Sequence, residues 1–137
     1  MYFVGDDVPQ DFKNTAKWLQ LASNHGEAAS QNALAVLYFN GQGVEKNVEE
    51  AIKWWRQSAE NGNSRAQVSL GAMYYDGKGV EKDIVKALMW QYISIKNGSD
   101  DGGRNRDTIE KEATPKQIAE AKNLADEWDK KYTKNSH

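Results

Sequence analysis

The sequence contains no cysteine and only two prolines, Pro9 and Pro115, in 137 residues. Without cysteine, neither a disulfide framework nor a thiolate nucleophile can form. A low proline content is typical of helical proteins, because proline breaks helix interiors. The sequence also lacks an apolar run of the roughly 18 residues that a transmembrane helix needs. These absences predict a helical protein without disulfides or membrane spans.

An excess of charge of one sign is missing as well. Lys and Arg number 18 and Asp and Glu number 20, for a formal net charge of -2. Basic residues are not clustered, which argues against nucleic acid as a partner. Residues 1–5 have no basic segment and no apolar segment of the kind found in signal peptides. The absence of cysteine is compatible with the cytoplasm and with the periplasm, so the sequence leaves the compartment open.

An internal repeat with a period of 36 residues dominates the sequence. Residues 41–46 (GQGVEK) return as residues 77–82 (GKGVEK), and 13 of 36 positions are identical between residues 27–62 and 63–98. The same shift pairs Trp18 and Gly26 with Trp54 and Gly62. Such a period is the signature of a stacked repeat architecture. We predict an incomplete N-terminal repeat at 1–26, full repeats at 27–62 and 63–98, and a divergent capping hairpin at 99–137.

Each repeat has the pattern of two helices. Leu70 and Tyr74 share one face of a first helix, which the glycines of residues 77–79 end. Asp83 can cap a second helix that contains Trp90 and ends at residues 97–98. One such hairpin cannot bury its own apolar faces, so neighbouring hairpins must stack. The predicted helices are 9–24, 28–39, 47–60, 64–75, 83–96, 101–112 and 115–131.

The C-terminal segment has its own helix signals. Thr114 and Gln117 form a capping box, and Pro115 occupies the favoured first helical position. Apolar residues at 118, 121, 124, 125 and 128 then form one stripe, which predicts a helix that closes the end of the stack. Residues 98–103 are either a flexible linker or a loose helix start.

The repeats resemble the Sel1-like repeat family, a relative of the tetratricopeptide repeats. The motif residues in the second full repeat are Ala66, Leu70, Gly71, Tyr74, residues 77–80, Asp83, Ala87, Trp90, Ser94 and Gly98. The first full repeat matches at Leu34, Tyr38, residues 41–44, Asn47, Ala51, Trp54, Ala59 and Gly62. The resemblance implies an all-α, right-handed superhelix (solenoid) of helical hairpins.

Signals for catalysis, metals and cofactors are weak. The two glycine loops lack the third glycine of a dinucleotide fingerprint and the Gly-Lys-Ser/Thr of a P-loop. Asp100 and Asp101 lack the spacing of a calcium loop. His25 and His137 have no partner in the sequence for a nucleophile–base pair or a metal site. We therefore expect no enzyme activity, no cofactor and no metal.

The four tryptophans of the repeats, at 18, 54, 55 and 90, divide into two groups. Trp18, Trp54 and Trp90 share one repeat position, so all three are predicted to lie in the core. Trp55 has no similar counterpart, because Leu19 and Gln91 occupy its equivalent positions. It is either an exposed contact or the edge of the core between repeats.

A second stripe on the first helices is the candidate binding surface. It comprises Val68, Ala72 and Tyr75 at i, i+4 and i+7, preceded one repeat earlier by Asn32, Val36 and Phe39. In tetratricopeptide-like stacks the first helices line the concave surface. The resemblance therefore implies a groove that presents Phe39 and Tyr75 of this stripe. Its flanking residues are Asn32, Asn40, Arg65 and Asp76. The alternative is that the stripe packs against adjacent repeats.

The functional hypothesis is a non-catalytic module that binds a protein or peptide, as an adaptor, scaffold or regulator. An inhibitory or immunity-type protein with a single toxin or enzyme as partner is the main alternative. An envelope enzyme or small-molecule binder would need a deep pocket with convergent polar groups.

The N-terminal end is expected to be incomplete. Only Tyr2, Phe3 and Val4 are left to cover the apolar face of the helix that contains Phe12, Ala16, Leu19 and Leu21. An open apolar end of a solenoid requires a cap or a partner. The expectation is either a fragment of a longer array or a homodimer formed through this end.

Overall fold

The computed structural model describes the backbone of residues 8–134 and the side chains of residues 12–131. The described residues form seven α-helices in chain order: α1 (Val8–Asn24), α2 (Ala28–Asn40), α3 (Val48–Glu60), α4 (Ser64–Asp76), α5 (Ile84–Lys96), α6 (Asp100–Glu110) and α7 (Pro115–Lys134). Each predicted helix is present, and the predicted all-α solenoid of hairpins is confirmed. Residues 100–103 belong to α6, so they are a helix start and not a linker. Tyr2, Phe3 and Val4 lie outside the described residues.

Side chains cap the starts of α3, α5 and α7, and the caps of α5 and α7 are those that the sequence predicts. The side chain of Asn47 accepts a hydrogen bond from the Glu50 amide at 3.0 Å, and Asp83 accepts one from the Lys86 amide at 3.0 Å. The hydroxyl of Thr114 accepts from the Gln117 amide at 3.1 Å, while Gln117 Oε1 accepts from the Thr114 amide at 2.9 Å. Each bond satisfies an amide that the first helical turn leaves unpaired.

The two glycines of each loop have different structural roles. Gly77 ends α4 in the left-handed conformation, with φ of 67°, and its amide donates to the Met73 carbonyl at 2.8 Å. Gly79 lies against the preceding hairpin, where an added Cβ would fall 2.6 Å from Val48 Cγ1. One repeat earlier, Gly43 approaches the backbone of Phe12 in the same way. The loop motif therefore both stops a helix and joins one repeat to the previous one.

The core runs along the stack between first and second helices. Leu34, Leu70 and Leu88 are fully buried. The repeat tryptophans Trp54 and Trp90 are also buried, with only a few per cent of their surface exposed. The Trp90 ring packs edge-on against Trp128 of α7, with ring centroids 5.7 Å apart. This contact attaches the C-terminal helix to the last full repeat, as expected of a capping helix.

The prediction that Trp18 is buried is wrong. Its side chain is 73% exposed, although Trp54 and Trp90 at the equivalent positions are 5% and 6% exposed. The physical reason is the number of neighbouring helices. Among the described residues, α1 packs substantially only against α2, whereas α3 has α2 and α4 beside it and α5 has α4, α6 and α7.

One buried glutamine in each full repeat joins that repeat to the preceding one. Gln67 Nε2 donates to the Ala59 carbonyl of the preceding helix at 2.9 Å, and Gln67 Oε1 accepts from Asn97 at 3.0 Å. Gln31 repeats this arrangement with the Ser23 carbonyl and Asn61, both at 3.1 Å. Because both glutamines are almost completely buried, these bonds replace the water that the amides lose on folding. We call each set a glutamine clamp.

Candidate protein-binding face

We call the exposed and half-buried residues of the first helices α2, α4 and α6 the first-helix face. On α2, Val36 is 37% exposed, Phe39 is half-buried and Asn40 is exposed. On α4, Arg65 and Asp76 are exposed, while Val68, Ala72 and Tyr75 are half-buried. The predicted stripe is therefore partly covered by its own fold and partly left open.

Asn32 and Phe39 are engaged by Trp55. The indole Nε1 of Trp55 donates to Asn32 Oδ1 at 3.1 Å, and the Phe39 ring tilts against the indole with centroids 5.5 Å apart. Trp55 itself is only 4% exposed, so it belongs to the edge of the core between repeats and is not an exposed contact. On the open side, the ammonium of Lys78 lies 5.6 Å from the Phe39 ring centroid.

Three predicted residues, Ala72, Tyr75 and Asp76, meet in one cleft. The cleft has a volume of about 180 Å³, and it is completed by Gln91, Asn105, Thr108 and Ile109. It lies between the C-terminal halves of α4 and α6, with Gln91 of α5 contributing to its wall. The other six predicted residues do not line it.

Sequence reasoning missed the four residues from α5 and α6. The signal was present in the period, since a shift of 36 carries Ala72 to Thr108 and Met73 to Ile109. The tail diverges at most other positions, so α6 is hard to recognise as a further first helix. Gln91 was noted only as a dissimilar counterpart of Trp55.

A second cleft of about 270 Å³ lies between α5, α6 and α7, lined in part by Lys96, Arg106 and Lys122. Its cations already have partners. Lys96 donates to Asp126 at 2.7 Å, which lowers the pKa of that carboxyl group, and Arg106 pairs with Asp107 at 3.1 Å. Lys122 lies 5.9 Å from the centroid of the Tyr92 ring. The positive charge is therefore largely compensated, and this cleft is a poor anion site.

Tyr92, which also lines the second cleft, bonds to a carboxylate of α6. Its hydroxyl donates to Glu110 Oε2 at 2.5 Å. Burial, followed by the hydrogen bond to Glu110, raises the pKa of Tyr92 above its ordinary value. The bond ties α5 to α6 and therefore helps to fix the wall of the first cleft.

Two further properties of the described residues concern metal binding and membrane crossing. Among them, no group of three His, Asp or Glu side chains is arranged to hold a metal ion. No helix in the described part is both long and apolar enough to cross a membrane. The first cleft contains amide, hydroxyl and carboxylate groups next to apolar walls, a combination suited to recognising another molecule.

Comparison with known proteins decides the family. The model of the Sel1 repeat matches residues 1–27, 28–63 and 64–99. The chain belongs to the Sel1 repeat family. Sel1 repeats generally mediate protein–protein interactions, and the family is generally a non-enzymatic repeat scaffold. No curated protein sequence matches this chain.

Two solved structures resemble this Sel1 repeat chain. One is a protective antigen present in uropathogenic Escherichia coli strains, displaying an SLR fold, with a TM-score of 0.85 and 38% identity over 90% of this chain. The other is a Sel1 repeat protein from Oxalobacter formigenes, with a TM-score of 0.67 and 29% identity over 69% of this chain. This chain spans 27% of the first relative and 39% of the second.

Proposed function

We propose that this chain is a non-catalytic adaptor, scaffold or regulator that binds a protein or peptide on its first-helix face. The observation that carries the proposal is the partly open stripe of Val36, Phe39, Val68, Ala72 and Tyr75 beside the cleft between α4 and α6. Half-exposed aromatic rings with polar neighbours are typical of binding hot spots.

The polar residues around the stripe support the same surface. Arg65 and Asp76 are exposed, and neither makes an ion pair within the described part of the chain. Charges that are free at the edge of an apolar stripe can pair with a partner, and they raise the rate and specificity of association more than its affinity. The surface therefore has an apolar centre and a charged rim, the common anatomy of an interface.

Site-specific photo-crosslinking tests which face is used. A benzophenone side chain is placed at position 36 or 65 on the first helices, and at Lys53 or Lys86 on the exposed sides of the second helices as matched controls. In extracts of the native source, we expect one protein to crosslink from positions 36 and 65 and much less from 53 and 86. Equal crosslinking from both sets would contradict the choice of face.

A second measurement separates binding from folding. Val36→Asp places a charge in the stripe at a position that is already 37% exposed, so its melting temperature should stay close to that of the unchanged protein. We expect it to abolish the crosslink from position 65. Tyr75→Ala should weaken it, because that ring is a proposed contact. Retention of the crosslink in both variants, with both still folded, would overturn the proposed surface.

A further inference from the structure

The two full repeats differ at one position of the second helix, which is Trp55 in α3 and Gln91 in α5. In the first, Trp55 is bonded to Asn32 and packed against Phe39. In the second, Gln91 takes the equivalent position, Val68 replaces Asn32 and Tyr75 replaces Phe39. A glutamine is much smaller than a tryptophan, and the cleft of about 180 Å³ lies beside it.

Gln91 is left with an unused hydrogen-bond acceptor. Its side chain is fully buried, and its Nε2 donates to the Val68 carbonyl at 3.1 Å, which orients the amide. Its Oε1 has no hydrogen-bond partner among the described residues. A buried acceptor without a partner has lost its hydrogen bond to water, so a group that donates an N–H here would recover that lost interaction.

The charge of the cleft also favours a donor that carries positive charge. Asp76 at its mouth is exposed and makes no ion pair among the described residues. The C-terminal halves of α4 and α6 converge on the cleft, and helix C-termini carry partial negative charge. No lysine or arginine of the described residues lines the cleft. Lys82, which lies over the Tyr75 ring at 5.1 Å, is already paired with Glu112 at 3.9 Å.

We propose that this cleft is a subsite for an arginine side chain of the partner. The methylene stem would pack on Ala72 and Ile109, and the guanidinium would donate to Asp76 and to the Gln91 acceptor. Arginine suits a half-enclosed site, because its five donors are fixed in a plane and its charge is more weakly hydrated than that of lysine. The proposal deepens the proposed function and rests on it, since the cleft belongs to the same face.

Small probes test the subsite without the natural partner. The ¹⁵N-labelled protein is titrated with N-acetyl-arginine amide, with its lysine analogue and with its citrulline analogue, which has the shape of arginine but no charge. We expect saturable shifts of the Gln91 and Asn105 side-chain amide signals with the arginine probe only. Equal binding of citrulline would overturn the role of charge, and equal binding of lysine would overturn the choice of arginine.

Three variants test the individual groups. Gln91→Leu removes the acceptor at similar volume, Gln91→Trp fills the cleft as Trp55 fills its counterpart, and Asp76→Asn removes the charge. Each should weaken arginine binding by about tenfold or more, the loss expected for a hydrogen bond to a charged group. Glu60→Gln, an exposed carboxylate on α3, is the matched control and should bind unchanged. Because Asp76 is exposed, Asp76→Asn should fold normally. It therefore still tests arginine binding if a Gln91 variant fails to fold.

The outcome separates this proposal from the broader one. If arginine shifts the Gln91 amide and Asp76→Asn abolishes the shift, the subsite stands. If a partner crosslinks to the first-helix face but no probe saturates the cleft, the subsite is wrong and the face is retained. If the probe binds while crosslinking is equal from both faces, the cleft binds arginine but the proposed partner surface is wrong.

Discussion

The two full repeats have the same helix boundaries and differ in whether a cleft lies beside the second helix. Both end the first helix with a left-handed glycine, Gly41 or Gly77, and both cap the second helix with Asn47 or Asp83. They diverge at Trp55 and Gln91, where one repeat is filled and the other leaves a cleft. The residues that set the helix boundaries are thus separate from the residues that determine whether a cleft forms, so two repeats with the same backbone can differ in their cleft.

The largest effect should come from the tryptophans that the repeats share. Trp90→Ala and Trp54→Ala should each lower the free energy of unfolding by about 3–5 kcal/mol, because each removes a large buried ring. Chemical denaturation measures the loss. A loss below 1 kcal/mol at either site would break the equivalence of the two repeats.

A smaller but substantial effect is expected when the first repeat is made to resemble the second. Trp55→Gln removes the indole that packs on Phe39 and leaves Asn32 without its donor, so we expect a loss of about 2–4 kcal/mol. Asn32→Ala, which removes only the hydrogen-bond partner, should cost about 1 kcal/mol. If Trp55→Gln proves neutral, Trp55 does not have the packing role that distinguishes the first repeat.

The glutamine clamps should contribute equally in the two repeats. Gln67→Leu leaves the Asn97 side chain and the Ala59 carbonyl without their partner, at a cost of about 1–3 kcal/mol, and Gln31→Leu should behave alike. Gln20→Leu serves as a control, since among the described residues its amide bonds only to the exposed Asn24. Unequal losses at Gln31 and Gln67, measured by thermal unfolding, would show that the clamps are not equivalent.

The smallest effect should occur at Trp18. Its side chain is 73% exposed, so Trp18→Ala should change the free energy of unfolding by no more than about 0.5 kcal/mol. The emission of Trp18 should also be quenched readily by iodide, whereas that of Trp54 should not. A loss comparable to that of Trp90→Ala would contradict the exposure of this ring.

Local signals in the sequence predicted most of the fold. Helix positions follow from the apolar stripes, from Asp83 and Thr114 as caps, and from the loop glycines, all of which act within a few residues. The burial of Trp54 and Trp90 follows from the period. Trp18 was placed wrongly because its exposure depends on which helices flank α1, and position in the repeat does not report this.

The candidate site could be predicted only in part. Ala72, Tyr75 and Asp76 were selected from their face on α4, and the structure brings them into one cleft. The opposite wall comes from α6, whose early Gly102 and Gly103 give little helical signal. The cleft beside Gln91 is lined by residues of three helices, α4, α5 and α6, and no local pattern in the sequence reports that these residues meet.

The glutamine clamps also give every full repeat the same contacts with its neighbours. Each clamp uses a donor and an acceptor at the same positions of every full repeat. The second helix of one repeat therefore provides the carbonyl that the glutamine of the next repeat needs. A duplicated unit spliced between residues 62 and 63 would find its bonds already provided on both sides. Arrays of this kind can therefore lengthen by whole repeats through gene duplication, because the hydrogen bonds between repeats are already encoded in each unit.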